Sequence, residues 1–275
     1  MPRIIVLTGS ELRHEYFRKR LADQSDITVL RTYCEGLEKS HSALVERDEN
    51  DKTMRRRHLE ARTQSEIDFF HGYCELAQDR SNPRFIPKGD INDAAIVDEI
   101  VDQQPDLLVA YGCSLVRSSL LTEFEGRFLN VHLGLSPYYR GSGTNFWPLV
   151  EGEPELVGAT FMHIDEGIDT GNIIHQLRAR YVWGDTPSTV GNRLIRDMVP
   201  VYAEIIAKLA ELDRPEPIRI ATDDKVYKAK DFSEESVARL YERFRNGLVE
   251  DYLENETERK NCTPIICNPG VTTEP

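Results

Sequence analysis

Residues 130–141 read NVHLGLSPYYRG. An apolar run ends there on an amide and an imidazole two positions apart. Side chains alternate along an extended strand, so Asn130 and His132 leave the backbone on the same face. An amide NH₂ can hydrogen-bond a developing oxyanion. An imidazole can take or give a proton near neutral pH. A carboxylate beside the ring would orient it and raise its pKa. The stretch DEGIDTG at 165–171 supplies two candidates, Asp165 and Asp169, although turn formation alone would also account for them. Together these groups spell general acid–base chemistry at a carbonyl, with no serine or cysteine nucleophile required. Cys113 follows the tripeptide AYG, but no basic partner stands beside it in the sequence to activate its thiol.

Positioning such groups calls for a scaffold. RIIVLTG (3–9) reads as a buried strand ending in a turn, and SELRHEYFRKRLADQ as a helix with Ser10 as its cap. A second strand is expected over 26–36, a helix over AAIVDEIVDQQ capped by Asn92 or Asp93, and a third strand over 105–112. A short helix in CSLVRSSLLTEF leads to a fourth strand, 126–132. Continuous apolar runs alternating with helices predict an α/β, Rossmann-like open, mostly parallel sheet covered on both faces. Two further strands, 157–164 and 172–182, precede an amphipathic helix. Its stripe is Val190, Leu194, Met198, Val201, Ile205, Leu209 and Leu212. In such a sheet ligands bind beyond the carboxyl ends of the strands. AYG, Asn130 with His132, and DEGIDTG all fall at such ends.

Residues 37–83 are dense in charge and helical in composition. They read as a solvated insertion, with Arg55, Arg56, Arg57 and Arg62 as a candidate anion-binding face. The expected organisation is a catalytic domain over 1–215 containing that insertion, then a C-terminal extension over 216–275 whose last residues form a disordered tail.

The chain has 275 residues and a net charge of −13. That balance argues against nucleic acid as the main partner, because phosphate backbones call for clustered Lys and Arg. No run of eighteen apolar residues suggests a membrane span. The beginning, MPRIIVLTGS, enters a strand-like run directly, so a cytoplasmic protein is expected. The five cysteines have irregular spacing. Cys262 and Cys267 lack a second pair to complete a zinc site, so neither disulfides nor a metal is expected.

The combination NVHLGLSPYYRG and GATFMHIDEGIDTGNII resembles the folate-dependent formyltransferases. This family includes methionyl-tRNA, glycinamide ribonucleotide and sugar N-formyltransferases. Its pattern is an Asn-x-His before an RG-containing loop, then an Asp in a D-x-G-x-D-x-G-like loop. Here Asp169 follows His132 at an interval of 37 positions. The resemblance is strong over about 84–182 and architectural over 1–36.

It implies formyl transfer from 10-formyltetrahydrofolate to a primary amine without metal. Asn130 and protonated His132 would stabilise the oxyanion, and Asp169 would hold His132. Tyr111, Gly112, Cys113, Ser114 and Leu115, with Asp165, Glu166, Gly167 and Ile168, would hold the pterin. Ser136, Tyr139, Arg140, Gly141 and Asn145 would meet the acceptor. LGLSPYYRG departs from the family's usual loop, TGSELRH disfavours glycinamide ribonucleotide, and a tail that is not basic disfavours transfer RNA. GTNFWPLVEG looks most like the sugar enzymes, so the resemblance points to a nucleotide-linked amino sugar. Another small amine, a methionyl-tRNA formyltransferase-like activity, or a folate or nucleotide binder without turnover, would be the alternatives. An exposed helix and the tail could support a homodimer.

Overall fold

The computed structural model describes residues 1–36, 53–167, 169–213, 215 and 226–273. Seven strands form one sheet: β1 Arg3–Thr8, β2 Thr28–Glu35, β3 Pro83–Ile86, β4 Leu107–Tyr111, β5 Phe128–His132, β7 Gly158–His163 and β8 Ile173–Arg178. Their order is β3-β2-β1-β4-β5-β7-β8. The first five run parallel, and β7 and β8 are antiparallel additions beside β5. This is the mostly parallel α/β architecture expected. The chain reverses its direction of winding at β1 and β4, so a crevice opens beyond their carboxyl ends.

β1 and β4 are covered on both faces, which explains their unbroken apolar runs; Ile4 to Leu7 and Leu107 to Tyr111 are buried throughout. β5 differs: Phe128, Leu129 and Val131 are buried, whereas Asn130 and His132 are half-buried. Helix α1 (Leu12–Ala22) follows β1, with Glu11 rather than Ser10 at its cap. Helix α4 (Ala94–Asp102) is capped as expected, the Asp93 carboxylate accepting the Ala95 N–H at 2.9 Å. Strand β3, which ends on the first two residues of FIPKGDIND, is not among the expected elements; four residues, only Ile86 buried, carry too little apolar pattern to announce an edge strand.

Of the charged segment 37–83, residues 37–52 lie outside the described residues. From there helix α2 (Met54–Glu66) continues through one π turn into helix α3 (Gly72–Leu76). One face is buried, with Phe70 fully enclosed and packed near Tyr16 of α1. The anion-binding expectation meets a simpler arrangement. Arg55 lies over the Phe232 ring at 5.3 Å, Arg56 pairs with Glu60 and Arg62 with Glu66, and Arg57 faces solvent.

His58 of α2 packs among Phe146, Phe232 and Tyr241, joining α2 to helix α8 (Glu234–Arg245). Burial pushes its pKa down to about 4 from an ordinary 6.5. Above pH 6.5 the ring is neutral folded or unfolded, so it adds no pH dependence. Between those two values the unfolded chain binds a proton that the fold excludes, so stability falls as pH falls. Chemical denaturation across this window should therefore show an acid loss that His58→Phe makes shallower. An unchanged slope in the variant would contradict the burial argument.

Helix α7 (Pro187–Lys208) covers the sheet with the predicted stripe; Val190, Leu194, Met198, Val201 and Ile205 are buried. Leu209 and Leu212 lie beyond its end and are only partly buried. Its first turn is locked by Arg193, whose guanidinium donates to both carboxylate oxygens of Asp185 at 2.7 and 2.6 Å. The Asp185 side chain is 2% exposed. Arg193→Ala leaves that carboxylate buried without its cation, at an expected cost of about 3 kcal/mol. Denaturant unfolding measures it, and a loss below about 1 kcal/mol would contradict the pairing.

The C-terminal residues form β9 (Val226–Tyr227), α8 and helix α9 (Leu248–Cys262). Residues 268–273, whose composition suggests a tail without structure, are tied to the body. The Asn268 N–H donates to His175 Nδ1 at 3.0 Å, and Thr272 and Thr273 donate to Glu204. Among the described residues no helix is long and apolar enough to cross a membrane.

Candidate active site

A cavity of about 1600 Å³ opens beyond the carboxyl ends of β1, β4 and β5. Asn130, His132 and Asp169 all line it. The His132 and Asp169 side chains are 11% and 13% exposed, and His132 Nδ1 stands 3.2 Å from Asp169 Oδ1. Asp169 has a φ of +53°, a left-handed conformation that aspartate tolerates better than most residues. Its other oxygen accepts the Gly141 N–H at 3.2 Å. Burial pushes the His132 pKa below its ordinary value; Asp169 and a hydrogen bond with the Tyr139 backbone push the other way.

The loop after β4 forms another wall, and Tyr111, Gly112, Cys113, Ser114 and Leu115 all border the cavity. Glu35, fully buried at the end of β2, pins this loop by accepting the Ser114 N–H at 2.5 Å and the Gly89 N–H at 2.8 Å. Burial and the nearby Glu35 raise the Cys113 thiol to about 12, which keeps it inert as a nucleophile. Opposite, Asp165 shapes the 165–171 loop by accepting the Gly167 N–H at 3.0 Å and the Thr170 hydroxyl at 2.8 Å. Asp165 and Gly167 line the cavity, Glu166 does not, and Ile168 lies outside the described residues.

The expected acceptor contacts divide. Gly141 and Asn145 line the cavity, and Asn145 also accepts the Gly158 N–H at 3.0 Å. Ser136 and Tyr139 do not: both are buried in the body, Ser136 hydrogen-bonded to Thr160 and Gln176 and Tyr139 to Glu153. Arg140 is half-buried outside the lining, at the start of the two-residue strand β6 (Arg140–Gly141). Three consecutive polar or aromatic residues after the serine were too coarse a signal to tell which faced inward.

Other groups at the cavity gave no sequence signal. Thr144 lies 3.1 Å from His132 Nε2. Gly134 is required beneath this pair, because a Cβ there would sit 2.6 Å from Thr144 Cβ and 2.7 Å from His132 Nε2. Arg13 of α1 lines the cavity but is paired with Glu11 and Glu66. The C-terminal extension also reaches the site: β9 pairs with β6, and Tyr227 stacks on Trp147 at 4.4 Å. Gly141 has a φ of +93° and abuts the Tyr227 carbonyl, so a side chain there is excluded twice over. No group of three or more metal-ligating side chains occurs among the described residues. The arrangement therefore offers an amide donor and an imidazole–carboxylate pair facing one cavity, with a rigid backbone loop across it.

Comparison with known proteins follows the same lines. The sequence profile named Formyl transferase matches residues 38–206. A methionyl-tRNA formyltransferase of Caldanaerobacter subterraneus subsp. tengcongensis is 30% identical over 139 residues, covering 50% of this chain and 44% of that protein. One from Anaeromyxobacter dehalogenans strain 2CP-1 is 41% identical over 92 residues, 33% of this chain and 29% of that one. The chain thus spans half or less of the length of these relatives. A sugar N-formyltransferase structure from Shewanella sp. FDAARGOS_354 superposes with a TM-score of 0.54 at 16% identity, covering 84% of this chain and 78% of its own. A phosphoribosylglycinamide formyltransferase from Anaplasma phagocytophilum gives 0.54 at 16% identity, covering 82% and 98%. At such identity the structural likeness speaks for the fold.

Proposed function

The chain belongs to the formyl transferase family, and we propose that it moves a formyl group from 10-formyltetrahydrofolate to a primary amine carried on a nucleotide-linked sugar. The observation that supports this most is the convergence of Asn130, His132 and Asp169 on one cavity, opposite the loop 111–115. That cavity has room for a folate head and an acceptor together.

In this reading the pterin lies against the backbone of 111–115 and the 165–171 loop. The amine nitrogen attacks the formyl carbon, and the carbonyl oxygen becomes an oxyanion. The Asn130 amide and protonated His132 donate to that oxygen. His132 passes its proton to folate N10 as the bond from the formyl carbon to N10 breaks, and the neutral ring, held by Asp169, then takes the proton that the amine releases. The products are a formamide and tetrahydrofolate, and no covalent enzyme intermediate or metal is needed. Residues 1–215 act as the catalytic unit, with the extension bracing it through β9.

The amino-sugar acceptor is suggested by TNFW (144–147), of which Thr144, Asn145 and Phe146 border the cavity. A transfer-RNA acceptor is the second reading, favoured by the names of the curated relatives and opposed by a net charge of −13. Mass spectrometry of amines incubated with protein and 10-formyltetrahydrofolate separates the readings. One formyl group gained by a nucleotide-linked amino sugar supports the first, and formylation of methionyl-tRNA supports the second. Folate binding without any product would point to a binding protein.

A further inference from the structure

Thr144 stands 3% exposed between two partners. Its hydroxyl donates to the Leu133 carbonyl, and its oxygen lies 3.1 Å from His132 Nε2. A threonine hydroxyl has one proton. With that proton committed to Leu133, the oxygen presents a lone pair to Nε2, so Nε2 must carry a hydrogen to bond with it. Across the ring, Nδ1 faces the carboxylate of Asp169. Both ring nitrogens therefore face acceptors, an arrangement fully satisfied only by the doubly protonated ring.

We infer that Thr144 is a positioning residue that favours the protonated form of His132, with Nε2–H resting on the threonine oxygen until the developing oxyanion takes it. This deepens the proposed function, which calls for a cationic His132, and rests on that reading only for its consequence in turnover. Burial of the ring opposes the charge. Among the described residues Asp169 is the charged group acting on the ring, and the Tyr139 backbone adds a hydrogen bond. Thr144 supplies the further acceptor. Gly134 makes the contact possible, since any Cβ at that position would overlap both Thr144 and Nε2.

The test is the titration of His132 by two-bond ¹H–¹⁵N NMR on the whole chain, with the signal assigned by its loss in His132→Gln. Thr144→Val keeps the shape and removes the acceptor, whereas Thr144→Ser keeps the oxygen. The expected result is a midpoint about one pH unit lower in the valine variant, a tenfold weaker protonation, with the serine variant close to wild type. In transfer assays kcat should fall in the valine variant with little change in KM for the folate donor, and the pH profile should move with the NMR midpoint. A valine variant that titrates as wild type does, or a serine variant that matches valine, would overturn the inference. The NMR arm needs no turnover, so a protein that fails to transfer formyl yet shows the shift would defeat the proposed function and leave the role of Thr144 standing.

Discussion

Replacing His132 with alanine is expected to slow formyl transfer about a thousandfold, the combined scale of a lost proton-transfer group and a lost oxyanion donor. The argument is local. His132 is the titratable side chain at the end of β5, on the same strand face as Asn130, and its ring is held between Asp169 and Thr144. The backbone loop assigned to the pterin, 111–115, is pinned by Glu35 from another strand, so truncating the ring should leave folate binding within a few-fold of wild type. The paired measurement is single-turnover transfer and tetrahydrofolate titration on the same preparation. A variant that keeps its rate removes His132 from the chemistry. A variant that also loses folate would make the ring a structural support.

The second large effect is expected from Gly134→Ala, an addition of one methyl group. The new Cβ would lie 2.6 Å from Thr144 Cβ and 2.7 Å from His132 Nε2. Thr144 is tied to Leu133, and His132 is held by Asp169 on its far side. The ring must therefore swing away, and a displacement near 1 Å at a reacting group costs about a hundredfold in rate. Gly134 is buried but lies beyond the end of β5, outside the sheet's hydrogen bonding, so the thermal midpoint should move by only a few degrees while transfer collapses. Retained activity would show that the His132–Thr144 contact is not required. Lost activity with a melted fold would place the glycine among the determinants of stability instead.

Much of this site was readable before any coordinates. Asn130 and His132 declare themselves because a strand has period two and both polar residues interrupt one apolar run. Asp169 is less plain, since an aspartate in a glycine-rich turn is explained equally well by turn chemistry; its left-handed backbone fits the turn, and folding adds its contact with Nδ1. The central strands were plain because continuous apolar runs mark strands covered on both faces. The edge strand β3 was not, since exposure on one side removes that signal.

What remained hidden depends on pairs far apart in sequence. Glu35 reaches Ser114 across 79 positions, and Tyr227 meets the 140–142 turn from the extension. No periodicity encodes such partners. Thr144 looked like one more residue in a glycine-rich turn, and only folding places its oxygen on the imidazole. The arginine-rich stretch of α2 divides in the same way: Arg55, Arg56 and Arg62 meet partners within the protein, and Arg56 and Arg62 also border the cavity.

The most direct test of the central claim follows one atom. The protein would be given 10-formyltetrahydrofolate labelled with ¹³C in the formyl carbon, together with a nucleotide-linked amino sugar. The label would then be traced by NMR and mass spectrometry beside a His132→Ala control. The account predicts that the label arrives on the sugar nitrogen as a formamide, one per tetrahydrofolate released, and that the control transfers almost none. Label appearing as free formate, or remaining on the folate with every amine offered, would contradict it.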